Sequence, residues 1–418
     1  MSRIIIEGGR QICGELNIQG SKNATLPILA ATILVAGESV LLGCPDITDV
    51  QETLYLMQQL GCKIQKETKA IRIDASELCS EEVTDKAATN SRTAVMLLGA
   101  LIGRRKKATV CYPGGCSIGC RPIDLHLAAL RHMGVIIIET EDRIRCETQK
   151  IQSTVIRFPM VSVGATESVI LAAALSEGTV RIQNAACEPE VCHMCNFLRK
   201  CGARIYGDGS RNITVKGVKQ LYPCEYMVPS DRIVCGTYLF AAAATAGEVT
   251  LHGPDYNELQ AVITLLERAG CKLQCSPGTI RLQAPGRLKA IPYTQTEVFP
   301  GFPTDMQSQL CAILCRADGD CMLRETIFEG RFLVVPELRK MGAIIEVSND
   351  VLFIEGQECL CGRNVIAKEL RGSAALVIAG LLAQGTTVLD TDRYLKRGYE
   401  NIVADLQQLG GRIQVVDL

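Results

Sequence analysis

The sequence predicts an α/β protein of two domains, each built from three copies of one unit, with apolar helices inside and sheets outside. Three observations carry this. A helix-like segment ends in glycine and runs into a β-rich string six times: LGCKI at 60, MGVII at 133, CGARI at 201, AGCKL at 269, MGAII at 341 and LGGRI at 409. A second series of Ala-rich apolar segments, starting near Asn23, Arg92, Ala165, Arg232, Met306 and Gly372, interleaves with the first. The copies fall roughly seventy residues apart, the period of a structural repeat, and 418 residues is long for a single core.

Each copy supplies a buried helix, strands, a more polar helix and a hairpin. Strings such as NATLPILAATILVAG, ATESVILAAALSEG and GSAALVIAGLLAQG are apolar nearly all round, which predicts burial rather than one wet face. Gly61, Gly134, Gly202, Gly270, Gly342 and Gly410 stand where a left-handed residue ends a helix. The runs that follow, such as VIIIETEDRIRCE, read as hairpins. Repeats three to five each carry a further strand and turn (NITVKGVKQL, TIRLQAPGRL, VLFIEGQECL), whereas the sixth stops at RIQVVDL. The N-terminal RIIIEGGRQI matches the missing piece. The expected domains are therefore 22–229 and 230–418, the second completed by 1–21. Two chain crossings, near Gly20 and Pro229, favour closure over a cleft.

Composition narrows the function. A net charge of −1 gives no basic field for nucleic acid, and 4% aromatics without Trp gives no base-stacking platform. No apolar run of membrane-spanning length lacks polar breaks. The 21 cysteines, an odd number with no secretory segment ahead of them, read as reduced cytoplasmic thiols packed as small apolar residues. Cys192 and Cys195 form a CxxC without a second spaced pair, and His126, His132, His193 and His252 make no ligand-spaced cluster, so no metal and no cofactor is expected. Cys311 and Cys315 read as core.

The heads of the buried helices share a local chemistry: GSKN, TNSR, SVGAT, PSDR, PTDM and LRGS. Short polar side chains there can accept from free backbone N–H groups. Lys22, Arg92, Arg232 and Arg371 sit at the same end, where a cation opposes the helix dipole unless an anion is bound, and their recurrence suggests a polyanionic ligand. In YPGGCSIGCRPIDLH (112–126) three glycines surround Cys116, with Arg121 close by. Such a loop can approach a ligand closely, and a thiol balanced between a cation and burial can act as acid or nucleophile. Asp305, in FPTDMQSQ, is open to two readings: a helix cap or a carboxylate that takes a proton from a substrate hydroxyl.

The strings SKNATLPI (21–28), PGGCSIGCRPIDLH (113–126), VSVGAT (161–166), EPE (188–190), FPTDMQ (302–307), FEGRF (328–332), ELRGSAAL (369–376) and RGYE (397–400) together resemble the UDP-N-acetylglucosamine 1-carboxyvinyltransferase (enolpyruvyl transferase) family. The matches run in order along nearly the whole chain. The resemblance implies two inside-out α/β barrel domains of three repeats each. It implies transfer of the enolpyruvyl group of phosphoenolpyruvate to the 3-hydroxyl of UDP-N-acetylglucosamine, in the cytoplasm and without nucleic acid or membrane. Related possibilities are transfer to shikimate 3-phosphate and a non-catalytic paralogue that only binds the sugar nucleotide. The family's roles carry over as follows. Lys22, Arg121 and Arg397 hold the phosphate of phosphoenolpyruvate, with Arg331 and Arg371 nearby. Asn23 and Asp305 contact the sugar, Asp305 as base. Arg92, Arg121, Pro122, Ile123, Asp124, Leu125, Ser162, Val163, Gly164 and Ile327 line the UDP-sugar site, and Glu369 belongs to the substrate-binding set. Cys116 is the general acid and the expected target of the epoxide fosfomycin. Four positions depart from the family's habit: Glu369 stands for Asp, Tyr394 for His, Met160 for a basic residue and Val234 for an acidic one.

Overall fold

The computed structural model describes residues 2–84, 93–112, 123–390 and 394–417. All six repeat glycines stand just after the C-cap residue of a helix and have φ between +85° and +102°, the left-handed region that a side chain disfavours. The helices they end are Thr48–Gln59, Asp124–His132, Pro189–Lys200, Gln260–Arg268, Val335–Lys340 and Ile402–Gln408.

The apolar series forms helices Lys22–Thr32, Thr93–Arg105, Val163–Ala173, Arg232–Ala244, Gln307–Leu314 and Leu370–Leu382. Arg232–Ala244 and Leu370–Leu382 are buried at every position, as expected of helices with no polar face. Burying each large aliphatic side chain contributes roughly 1.5–3 kcal/mol, so these helices are held by the core around them rather than by helix propensity.

Among the described residues the strands form six four-stranded sheets of one pattern. An edge strand pairs in parallel with its neighbour, and the remaining two pairings are antiparallel. In the sheet Glu225–Met227, Glu38–Leu42, Ala70–Asp74, Lys63–Lys66, for example, only the first pair is parallel. Three strands arrive from distant stretches of the chain, two at a sheet edge and one inside a sheet. Glu225–Met227 reaches back to the first sheet of its unit, Cys13–Asn17 pairs with Glu248–His252, and Ser2–Glu7 lies between Thr386–Asp390 and Arg412–Asp417. Helices inside and sheets outside make this the inside-out α/β architecture anticipated from the repeats.

The chain divides into two compact units. The N-terminal unit comprises residues 20–229, the undescribed stretch 113–122 aside, and the C-terminal unit joins residues 1–19 to 230–418. Each has its own apolar core, assembled around its three buried helices.

Candidate functional site

In the C-terminal unit the candidate residues converge on one carboxylate. Asp305 lies in the short 3-10 turn Thr304–Met306 ahead of Gln307–Leu314 and caps neither; the cap positions are Pro303 for the turn and Met306 for the helix, and neither makes a side-chain cap bond. Its Oδ1 accepts from Arg331 Nη2 at 2.6 Å and its Oδ2 from Arg371 Nη2 at 2.7 Å. The side chains of Arg331 and Arg371 are 2% and 7% exposed, while Asp305 is 25% exposed. The carboxylate is thus the open end of a buried charge network, and such an ion pair persists only where further hydrogen bonds offset desolvation.

Those bonds are present. Arg331 Nε donates to Thr304 Oγ1 at 3.2 Å, and Thr304 donates to Glu325 Oε2 at 3.0 Å. Glu325, itself buried, accepts through Oε1 from the backbone N–H groups of Ile327 and Phe328. The Arg331 guanidinium lies 5.1 Å from the centroid of the Phe328 ring, a cation–π contact. On the other side, Glu369 caps Leu370–Leu382, accepting from Arg371 N at 2.7 Å and from Gly372 N. A Cβ on residue 372 would stand 2.7 Å from Glu369 Oε1, so glycine there admits the cap. Burial pulls the Arg371 guanidinium down, but the charges of Asp305, Tyr399 and Asp231 outweigh it and hold the group above its ordinary value. Arg397 ends the turn Leu395–Arg397 and is half-buried. The next residue, Gly398, packs against Leu370, and Gln19 clamps this loop by donating to Gly398 O and accepting from Glu400 N.

In the N-terminal unit two groups of candidates are brought together. Ser21 caps Lys22–Thr32, and Lys22 Nζ meets Asp49 Oδ2 at 2.6 Å, both nearly buried. Asn23 is half-buried beside it. Ser162 caps Val163–Ala173 by accepting from Ala165 N at 3.3 Å. Against the half-buried Gly164 lies His126, whose Nε2 would stand 2.9 Å from a Cβ there, so the 123–125 and 162–164 segments are neighbours. Ile123 is buried, Leu125 half-buried and Asp124 exposed. Behind them Glu167 is fully enclosed; burial first, then the charges of Glu190 and Glu188, push its carboxyl well above the usual range.

The three described cations at helix heads receive different settings. Lys22 and Arg371 face carboxylates of the protein itself, whereas Arg232 is buried and packs over the Phe299 ring. The anion implied by this pattern is therefore supplied in part from within the chain. Arg92, Cys116, Arg121 and Pro122 lie outside the described residues. Among the described residues no group of three or more His, Cys, Asp or Glu side chains is placed to hold a metal, and no helix is long and apolar enough to cross a membrane. Asp49, Thr304, Glu325 and Gln19 are the participants that the sequence did not single out. Each is tied to its partner through tertiary packing, and only a conserved pattern across relatives, rather than spacing within one chain, would have marked them.

This fold, with a carboxylate clamped between buried arginines, belongs to a transferase class. A family model described as EPSP synthase (3-phosphoshikimate 1-carboxyvinyltransferase) matches residues 6–406, and the chain belongs to that enolpyruvyl transferase family. Its relatives include the UDP-N-acetylglucosamine 1-carboxyvinyltransferase 2 of Caldanaerobacter subterraneus subsp. tengcongensis, 43% identical over 413 residues and covering 99% of each chain. The UDP-N-acetylglucosamine 1-carboxyvinyltransferase of Desulfovibrio desulfuricans is 42% identical over 415 residues, again covering 99% of each. Among solved structures, the enolpyruvyl transferase NikO from Streptomyces tendae superposes with a TM-score of 0.89 at 23% identity over 99% of both chains. EPSP synthase from Acinetobacter baumannii does so with a TM-score of 0.77 at 19% identity over the full length of both. These last two share the fold.

Proposed function

We infer that this chain transfers the enolpyruvyl group of phosphoenolpyruvate to the 3-hydroxyl of UDP-N-acetylglucosamine with release of phosphate, the first committed step of peptidoglycan synthesis, and that it works in the cytoplasm. The observation that carries this reading is end-to-end identity of 43% to a protein of that activity. In this reading the Asp305 carboxylate takes the hydroxyl proton as oxygen attacks the enol carbon, and Cys116 delivers a proton to the terminal methylene. The tetrahedral adduct then loses phosphate and a methyl proton, restoring the double bond. Phosphoenolpyruvate carries about three negative charges near neutral pH, so Lys22, Arg121 and Arg397 bind its phosphate, with Arg331 and Arg371 nearby. A bound anion competes with Asp305 for the two buried guanidinium groups and frees a lone pair for the hydroxyl. Asn23 orients the sugar. Arg92, Pro122, Ile123, Asp124, Leu125, Ser162, Val163, Gly164 and Ile327 enclose the nucleotide sugar, and Glu369 holds Arg371 in place from behind.

Phosphate release from phosphoenolpyruvate tests this directly. Release that requires UDP-N-acetylglucosamine is expected. Release that requires shikimate 3-phosphate instead, or no release with intact sugar-nucleotide binding, overturns the assignment in favour of the sister enzyme or of a binding-only protein. Fosfomycin is expected to add once, at Cys116, and Cys116→Ser to abolish the adduct; intact-mass analysis showing an unmodified protein or another labelled thiol would contradict that role.

A further inference from the structure

The abundant cysteines take no part in the chemistry above apart from Cys116, and ten of the nineteen among the described residues are buried. Cys311 and Cys315, for instance, are both buried within one core helix, where no reagent reaches them. One pair is different. Cys201, buried at the C-terminal end of Pro189–Lys200, and Cys224, half-exposed just ahead of Glu225–Met227, lie with their sulfurs 3.4 Å apart across 23 residues of sequence. Both backbones are anchored: Cys201 O accepts from Tyr222 N at 2.8 Å and Cys224 O from Val40 N at 3.0 Å.

We propose that Cys201 and Cys224 form a redox-active dithiol site in the N-terminal unit, which a low-molecular-weight disulfide converts into an intramolecular disulfide. A disulfide bond is about 2 Å long, so closing it from contact distance needs little more than side-chain rotation. The division of labour follows from exposure. Cys224 is the more exposed residue of the two. Either thiol can donate in the neutral pair; once Cys224 is ionised the thiol of Cys201 donates to it, and that bond together with the charge of Lys200 favours the anion against burial, which places it below its ordinary range. Cys201 is held in the opposite direction by that same hydrogen bond and by burial. The thiolate of Cys224 attacks one sulfur of the small disulfide, forming a mixed disulfide and releasing one thiolate. Cys201 then loses its proton and attacks the Cys224 sulfur, expelling the second. Two protein thiols are oxidised and one small disulfide is reduced to two thiols. The link ties the end of a helix to the residue before the strand that completes the first sheet of this unit, around the hairpin Arg204–Tyr206 and Asn212–Lys216.

The test is to incubate the reduced, folded protein with oxidised glutathione, block free thiols by alkylation, and map the peptides. A linked peptide joining residues 201 and 224 is expected. Cys201→Ser should leave glutathione trapped on Cys224, and Cys224→Ser should leave Cys201 unmodified. The linked protein should unfold at a higher temperature than the reduced one, because the link constrains the unfolded chain. Glutathione on the exposed Cys13, Cys79, Cys275, Cys359 or Cys361 while Cys201 and Cys224 alkylate as free thiols would overturn the proposal, as would a link that forms only in denaturant.

Discussion

Equivalent helix heads in the two units are capped by different chemistry. In the N-terminal unit Ser21 and Ser162 cap with neutral hydroxyls. In the C-terminal unit Asp231 and Glu369 cap with carboxylates, and Asp305 sits at the head of the third helix between two arginines. A helix N-terminus carries a partial positive charge of about half an electron. A hydroxyl cap satisfies N–H groups but leaves that field available to an incoming anion. A carboxylate cap consumes the field and positions a following cation, as Glu369 does for the backbone of Arg371. One repeat has thus diverged into heads that leave the helix field open and heads that place carboxylates beside arginines.

The largest expected effect breaks the C-terminal network. Arg331→Met leaves Asp305 with Arg371 alone of its two guanidinium partners and removes the donor to Thr304, a loss of about 3–5 kcal/mol for a buried pair deprived of one partner. Urea denaturation should register it as a lower midpoint with an unchanged slope. Loss under 1 kcal/mol (roughly the value of an exposed pair) would mean that the network is solvated.

A second test concerns the acidic pocket of the N-terminal unit. Glu167 keeps its proton in the folded protein above the unfolded value near 4.5. The folded state then binds more protons than the unfolded one, so this group's contribution to stability is lost as pH rises from there toward its folded value, by about 1.4 kcal/mol per pH unit. Glu167→Gln should be most stabilising, relative to wild type, at the alkaline end of that window and neutral below it. A constant difference across pH would show that Glu167 ionises normally.

The smallest effect sharpens the comparison itself. Glu369→Ala should cost about 2 kcal/mol, since two buried backbone donors lose a charged acceptor, and Ser162→Ala about 1 kcal/mol. Thermal denaturation of the two variants checks this. Equal losses would erase the distinction between the caps.

The fold class was legible because it rests on local signals repeated six times. A glycine with positive φ after each polar helix, and helices apolar on every side, are written in consecutive residues. The site was legible only in part. Lys22, Asp305, Arg331 and Arg371 stand in recognisable strings, but Asp49 and Glu325 do not. Asp49 reads as an ordinary first-turn acid and Glu325 as a strand-end acid; only packing brings one to Lys22 and the other to Thr304. Glu369 was visible as a departure from the family's aspartate, yet its capping role was not, because glutamate is outside the preferred capping residues. Asp305 shows the converse error of local reading: a residue type favoured at helix heads that is used instead to hold two arginines.

In the proposed reaction Asp305, held between two buried guanidinium groups, takes the proton of the sugar hydroxyl. Asp305→Asn tests it most directly, with UDP-N-acetylglucosamine binding followed by calorimetry and phosphate release followed in a single turnover. Binding should stay within about tenfold of wild type while release slows by about 10²–10⁴, the usual contribution of a general base. Release near the wild-type rate, or a defect confined to binding, would contradict the account.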